Sequence, residues 1–322
     1  MNRASAVVFA YSEVGARCLA ALYEADVAVP LVVTHEDDPN EQRWFASVAD
    51  VARRAGSRVV TPAEPADPGL VAEVGALRPD FVFSFYYRRM LPAAVLGLAR
   101  LGALNMHGSL LPKYRGRAPV NWAVLNGETE TGASLHYLVA KPDAGALIDQ
   151  EAVPIGPDDT AVAVAGRVAD AAVAVLGRSL PALIAGTAVG RPLDLAKGSY
   201  FGGRKAADGE FSFEWPAARI HNLVRAVAPP FPGAFTRLEG AELRVHSTRR
   251  LGAGARTGAA APRLYLDGAA LIADCGDGER LELLEAYIDG GRVDAGRFIS
   301  TFGHESVSTR PQPRAQARAT SP

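Results

Sequence analysis

Asn105 and His107 stand two positions apart at the end of a short apolar run, residues 102–107. On a β-strand, residues two apart project to one face, so an amide and an imidazole would share a surface. Gly108, Ser109 and Pro112 follow and end the strand. The carboxyl ends of strands in open α/β sheets are where ligands bind. An amide N–H donates at any pH, and an imidazole exchanges a proton near neutrality. Acyl transfer uses both, a donor for the oxyanion and a group that moves a proton. An isolated Asn-x-His is more often a structural pair. The run of special residues after this one favours chemistry.

The elements that must position the pair alternate in period. Residues 5–11, 29–35, 58–61, 80–86 and 102–107 read as strands, the fourth fully apolar as in a strand buried on both faces. Between them, 13–25, 42–55, 69–77 and 92–99 carry helical spacing, with Pro92 opening the last. Such β-α-β alternation predicts a mostly parallel, Rossmann-like sheet covered by helices. A helix from Pro119 follows, then strands at 133–139 and 146–155 joined by the loop 140–145. Thr160 is the expected N-cap of a long Ala/Val-rich helix ending near Pro181. Composition changes over 197–209, a linker by its glycines and polar residues. Beyond it come a helix at 217–228 and five short strands at 234–238, 242–247, 263–266, 270–274 and 279–284, the pattern of a small open barrel. Residues 252–261 read as a flexible loop and 306–322 as a disordered tail. The expected division is therefore 1–203, 204–305 and a tail 306–322.

The chain has 322 residues, is 48% apolar and carries a formal charge of -1. That is enough for two cores and gives no electrostatic reason to expect nucleic acid or a membrane surface as partner. Cys18 and Cys275 make no metal or redox spacing and read as reduced core thiols; no metal is expected. Neither a signal peptide nor an apolar run of about 20 residues is visible, which implies a cytoplasmic protein. The first strand-helix turn, Ala10 to Gly15, lacks Gly-x-Gly-x-x-Gly, and no phosphate-binding Gly-rich loop occurs. A dinucleotide enzyme or nucleotide hydrolase is thereby disfavoured.

Asn105-Met106-His107, Ser109-Leu110-Leu111-Pro112, Arg115-Gly116-Arg117-Ala118-Pro119 and Asp143-Ala144-Gly145 together resemble the signature of the folate-dependent formyltransferases. The likeness also covers 7–11, 83–88, 126–132, 224–227 and 231–235, most of the chain. Within that family it is nearest to enzymes acting on UDP-4-amino-4-deoxy-L-arabinose in lipid A modification and polymyxin resistance. The resemblance implies a formyltransferase fold with an OB-like C-terminal β-barrel subdomain, 10-formyltetrahydrofolate as formyl donor, and a UDP-amino sugar as acceptor. It implies Asn105 as oxyanion donor, His107 as proton carrier and Asp143 as the carboxylate orienting the ring. For the folate it implies Arg89, Met90, Leu91, Arg117, Val139, Ala140, Lys141 and Pro142. Tyr11, Tyr114, Asn121, Asn222 and Arg225 are candidates for the sugar nucleotide. His136 reads as structural. Met106 stands where the family commonly has Leu. A decarboxylase domain, often fused in that group, is not expected here, and the oligomeric state is left open.

Two neighbouring enzyme readings share the signature. A methionyl-tRNA formyltransferase should show clustered Lys/Arg, against the slight acidity here, and its first turn is expected to read Gly-Thr-Pro. A formyltetrahydrofolate hydrolase would use water as acceptor. A non-enzymatic folate-binding homologue would keep the fold without the three chemical residues, all of which are present.

Overall fold

The structure is a computed structural model describing residues 3–36, 44–253 and 262–309. The first part of the expected helix at 42–55, most of the 252–261 loop and the end of the tail lie outside the described residues. The chain divides into two compact units, 1–123 with 128–204, and 124–127 with 205–322.

In the first unit the elements run β1 (Ser5–Ala10), α1 (Ser12–Glu24), β2 (Ala28–Val33), α2 (Val48–Arg54), β3 (Arg58–Val60), α3 (Pro68–Leu77), β4 (Phe81–Phe85), α4 (Ala93–Leu96), β5 (Gly102–His107), β6 (Arg115–Gly116), α5 (Pro119–Leu125), β7 (Glu130–Tyr137), β8 (Leu147–Pro154), α6 (Ala161–Ile184) and β9 (Tyr200–Phe201). The main sheet has the order β3-β2-β1-β4-β5-β7-β8. The first five strands are parallel; β7 and β8 add antiparallel to β5. β1 and β4 at its centre are buried on both faces: Val7, Val8, Phe9, Phe81, Val82 and Phe83 have no exposure, and Ser84 is a buried polar exception. Helices on both sides explain that absence of alternation. The order reverses at β1, where the neighbours β2 and β4 diverge, the usual place for a crevice.

Local chemistry accounts for the helix starts. The Thr160 hydroxyl accepts from the Ala163 N–H, and Asp67 caps α3 through Leu70 N–H. α6 runs three residues past Pro181, further than expected, because a proline blocks the bond to the preceding turn without forcing the following residues out of helix. α4 is shorter than expected, Pro92 serving as its N-cap rather than its first turn.

The second unit holds α7 (Ala217–Ala226), β10 (Ala234–Leu238), β11 (Ala241–Ala253), β12 (Arg263–Asp267), β13 (Ala270–Asp274), β14 (Glu279–Ile288), β15 (Gly291–Arg292), α8 (Ala295–Phe302) and β16 (Ser306–Ser308). Its antiparallel strands order β10-β11-β14-β13-β12-β16, with β15 on β14. Among the described residues seven strands stand where five were expected, in an open OB-like sheet. One extra strand corrects the reading of the tail: Ser306–Ser308 pairs with β12, Val307 being buried opposite Leu264. One apolar residue among polar ones was too faint a pattern to read as a strand.

Candidate active site

β5 ends at His107 and sits between parallel β4 and antiparallel β7. The register across β7 sets Asn105 opposite His136 and His107 opposite Ser134. The turn after β7 returns Asp143 to the same place with a backbone φ of 48°, a region that aspartate tolerates better than most residues. Asp143 Oδ1 lies 3.4 Å from Asn105 Nδ2, 3.6 Å from His107 Nδ1 and 3.5 Å from His136 Nε2. Its other oxygen accepts the Gly116 N–H at 2.8 Å. The three residues expected to do chemistry are therefore together.

The ring nitrogens can be assigned from their partners. His107 Nε2 is 2.8 Å from the Tyr114 carbonyl, which only accepts, so Nε2 carries the hydrogen. In the neutral ring Nδ1 then keeps its lone pair on the Asp143 side. Burial, the largest influence, pushes the His107 imidazole below its ordinary value; the Asp143 carboxylate and the Tyr114 carbonyl pull it up without overcoming burial, and His136 adds to the depression. The resting ring is a free base with a carboxylate waiting beside the atom that would be protonated. Burial alone would raise the Asp143 carboxyl, but the neighbouring His107 and His136 rings and the Gly116 N–H outweigh it and hold it well below the usual carboxylate range. Asp143 stays ionised because Asn105 and Gly116 donate to it whatever the charge on His107.

His136, which reads as structural in the sequence, lies against the pair. It is fully buried. Its Nδ1 donates to the Tyr137 carbonyl at 2.8 Å, which leaves Nε2 to accept from Asn105 Nδ2 at 3.1 Å. One amide hydrogen of Asn105 is thus held by His136, and the second points toward Asp143. Ser134 and His136 repeat the two-residue spacing of Asn105 and His107, the one sequence signal that could have raised it.

All the residues expected for folate except Arg117 fall in two segments, 89–91 and 139–142, that meet at their roots, since Leu91 and Leu138 pack into one apolar cluster with Val95 and Phe9. Leu91 is itself buried, so only its backbone can face a ligand. Met90 at 53% and Val139 at 41% exposure leave apolar surface uncovered, beside exposed Arg89, Ala140 and Lys141 and half-buried Pro142. Arg89 pairs with Glu64 at 3.2 Å, and Arg117 is exposed on the loop after β6. Of the sugar-nucleotide candidates, Tyr11 is buried at the end of β1, under the Arg88 guanidinium at 4.3 Å and edge-on to His35 and Phe45. Tyr114 gives its carbonyl to His107 and its hydroxyl to Glu128 at 2.8 Å. Asn121 is half-buried on α5. Asn222 and Arg225 belong to the second unit and bond to each other at 3.0 Å, with Arg225 also donating to the Val124 carbonyl.

Among the described residues no group of three His, Cys, Asp or Glu could hold a metal ion. No described helix is long and apolar enough to cross a membrane.

Comparison with known proteins agrees with this architecture. The chain matches an N-formyltransferase from Helicobacter canadensis, solved with folinic acid and dTDP-3-aminofucose, at TM-score 0.68 and 18% identity, over 88% of this chain and 99% of that one. It matches WlaRD, a sugar 3N-formyl transferase solved with dTDP and 5-N-formyl-THF, at 0.67 and 16%, over 92% and 99%. A sugar N-formyltransferase from Shewanella sp. FDAARGOS_354 matches at 0.61 and 20%, over 75% and 96%. At these identities the likeness is one of fold. The model of the formyl transferase family matches residues 6–180, and that of the formyl transferase C-terminal domain matches 204–302. More than half the chain thus lies within the first match, and the chain belongs to the formyl transferase family.

Proposed function

We propose that this enzyme moves a formyl group from 10-formyltetrahydrofolate to the primary amine of a nucleotide-linked amino sugar, and that the acceptor is UDP-4-amino-4-deoxy-L-arabinose, the step that serves lipid A modification and polymyxin resistance. The observation that carries the reaction is the convergence of Asn105, His107 and Asp143 at the end of β5. The amine's lone pair bonds to the formyl carbon, and the carbonyl π pair moves onto oxygen. Asn105, steadied by His136, turns its second N–H from Asp143 to that oxyanion; one such donor is worth on the order of 10²–10³ in rate. His107 Nδ1 takes a proton from the attacking nitrogen and becomes an imidazolium beside the Asp143 carboxylate. The same proton passes to the folate nitrogen as its bond to carbon breaks. The flat, partly apolar pterin with its acidic tail suits the exposed Met90 and Val139 beside Arg89, Arg117 and Lys141. The acceptor assignment rests on the sequence likeness at 7–11, 83–88 and 126–132, and in the first unit Tyr11, Tyr114 and Asn121 are the candidates to hold the sugar nucleotide. The reading needs only small-molecule partners.

Tetrahydrofolate release with a panel of acceptors tests it. UDP-4-amino-4-deoxy-L-arabinose should turn over with the highest kcat/KM, above dTDP-3-aminofucose, formylatable methionyl-tRNA and water. A higher kcat/KM for any of the others overturns the acceptor. Release that no amine accelerates overturns the transferase reading.

A further inference from the structure

The segment 198–203, a linker by composition, is built into the site. β9 pairs in parallel with β6, Arg115 with Tyr200 and Gly116 with Phe201. The Arg115 N–H donates to the Ser199 carbonyl and the Arg117 N–H to the Phe201 carbonyl, both at 3.0 Å, and the Ser199 N–H reaches the Pro112 carbonyl at 3.3 Å. Tyr114 has a φ of 57°, which turns its N–H out of that ladder. The Ser199 hydroxyl takes up this stray donor at 2.8 Å. Phe201 stacks on Tyr114 at 5.2 Å and on Trp122 at 4.8 Å. Gly116 has a φ of 99°, and a Cβ there would overlap the Phe201 carbonyl, so the two strands approach as closely as a glycine allows.

The peptides so held are those that touch the reactive groups. The Tyr114 carbonyl receives His107 Nε2–H, and the Gly116 N–H binds Asp143 Oδ2. One short strand thus fixes a partner of the imidazole and a partner of the carboxylate at once. We propose that Ser199–Phe201 is a positioning strap for the formyl-transfer centre, with Ser199 the residue that fixes the Tyr114 peptide against His107. The proposal rests on the formyl-transfer reading above.

A Ser199→Ala variant of the full chain tests it. Its kcat should fall about 10- to 100-fold, the scale of a small misplacement of a reacting group, with KM for donor and acceptor unchanged. A slackened carbonyl favours the imidazolium less, so the acid limb of the kcat profile should move to lower pH. Asp143 and His136, which also face His107, are untouched by the substitution. Ser199→Thr keeps the hydroxyl and should restore both values. The His107 imidazole titration, followed by NMR in substrate-free protein, should show the same downward shift in Ser199→Ala. That measurement needs no substrate, so a wrong acceptor leaves it standing, whereas a wrong reaction would show as an inactive wild type. Wild-type kcat with an unmoved His107 midpoint in folded Ser199→Ala overturns the proposal, and so does a rise in KM alone. Should Ser199→Ala fail to fold, Ser199→Cys, with only a weak acceptor in place of the hydroxyl, is read in the same way.

Discussion

Among the described residues, two histidine–carboxylate pairs of nearly equal length, one in each unit, invite comparison. His107 and Asp143 are 3.6 Å apart, with side chains 7% and 13% exposed; His246 and Glu285 are 3.7 Å apart, at 19% and 41%. Glu285 also accepts the Tyr287 hydroxyl at 2.7 Å, and His246 leans on the Tyr287 ring at 4.8 Å. The separation is the same, but the surroundings are not. Water screens the second pair, and an exposed ion pair contributes little. Around the first pair, a half-buried amide, a second imidazole and a loop N–H converge on a single carboxylate. Proximity of acid and base is common; desolvation with every partner satisfied is what equips one pair for chemistry.

Removing the imidazole from each pair breaks the comparison most directly. His107→Ala should lower kcat by about 10²–10⁴-fold, the usual worth of positioned proton transfer, while His246→Ala should leave kcat unchanged; equal losses in the two would show that the pairs do not differ. Asn105→Ala should cost on the order of 10²–10³ in kcat with folding intact, checked by steady-state rates alongside circular dichroism. Asp143→Asn removes the charge that favours protonated His107, so kcat should fall by about 10²-fold and the acid limb should move to lower pH. The equivalent Glu285→Gln change should move neither. His136→Phe should lower kcat by roughly 10-fold, because Asn105 loses its orienting acceptor, and should move the acid limb slightly to higher pH, because His136 no longer adds to the depression of His107.

A third histidine sharpens the comparison from the other side. His35 accepts from the Arg88 N–H at 3.1 Å and stacks on Tyr87 at 4.3 Å. Burial, then Arg88 and Arg89, lower its pKa from 6.5 to about 4. Between those values the unfolded chain binds the proton and the folded one does not, so stability falls as pH drops through this window. Thermal unfolding should show Tm declining from pH 6.5 to 4 more steeply in the wild type than in His35→Gln. Equal slopes would place the lost stability elsewhere. This is the smallest of the expected effects, because the ring is only partly shielded.

Local rules were sufficient where neighbours in sequence are neighbours in space. The two-residue spacing of Asn105 and His107, the glycine that ends their strand, the Thr160 cap and the apolar β4 are all short-range facts, and they fixed the α/β architecture and the face bearing the pair. The tail at 306–308 failed the same reading because a strand with one buried residue has almost no periodic pattern.

The rest of the site depended on contacts between distant residues. Asp143 lies 38 positions from Asn105, His136 31 positions from it, and Ser199 85 positions from Tyr114. No periodicity spans such distances. What joins them is the antiparallel addition of β7 to β5 and the pairing of β9 with β6, both chosen by burial and by the satisfaction of backbone donors in the folded whole. The sequence by itself thus named an amide and an imidazole and the strand that carries them. Only the tertiary structure decided how Asp143, which the motif had named, comes to lie beside the ring, which second histidine bonds the amide, and that an apparent linker pairs with the loop after β5, because desolvation and cross-strand register exist only once the chain has closed on itself.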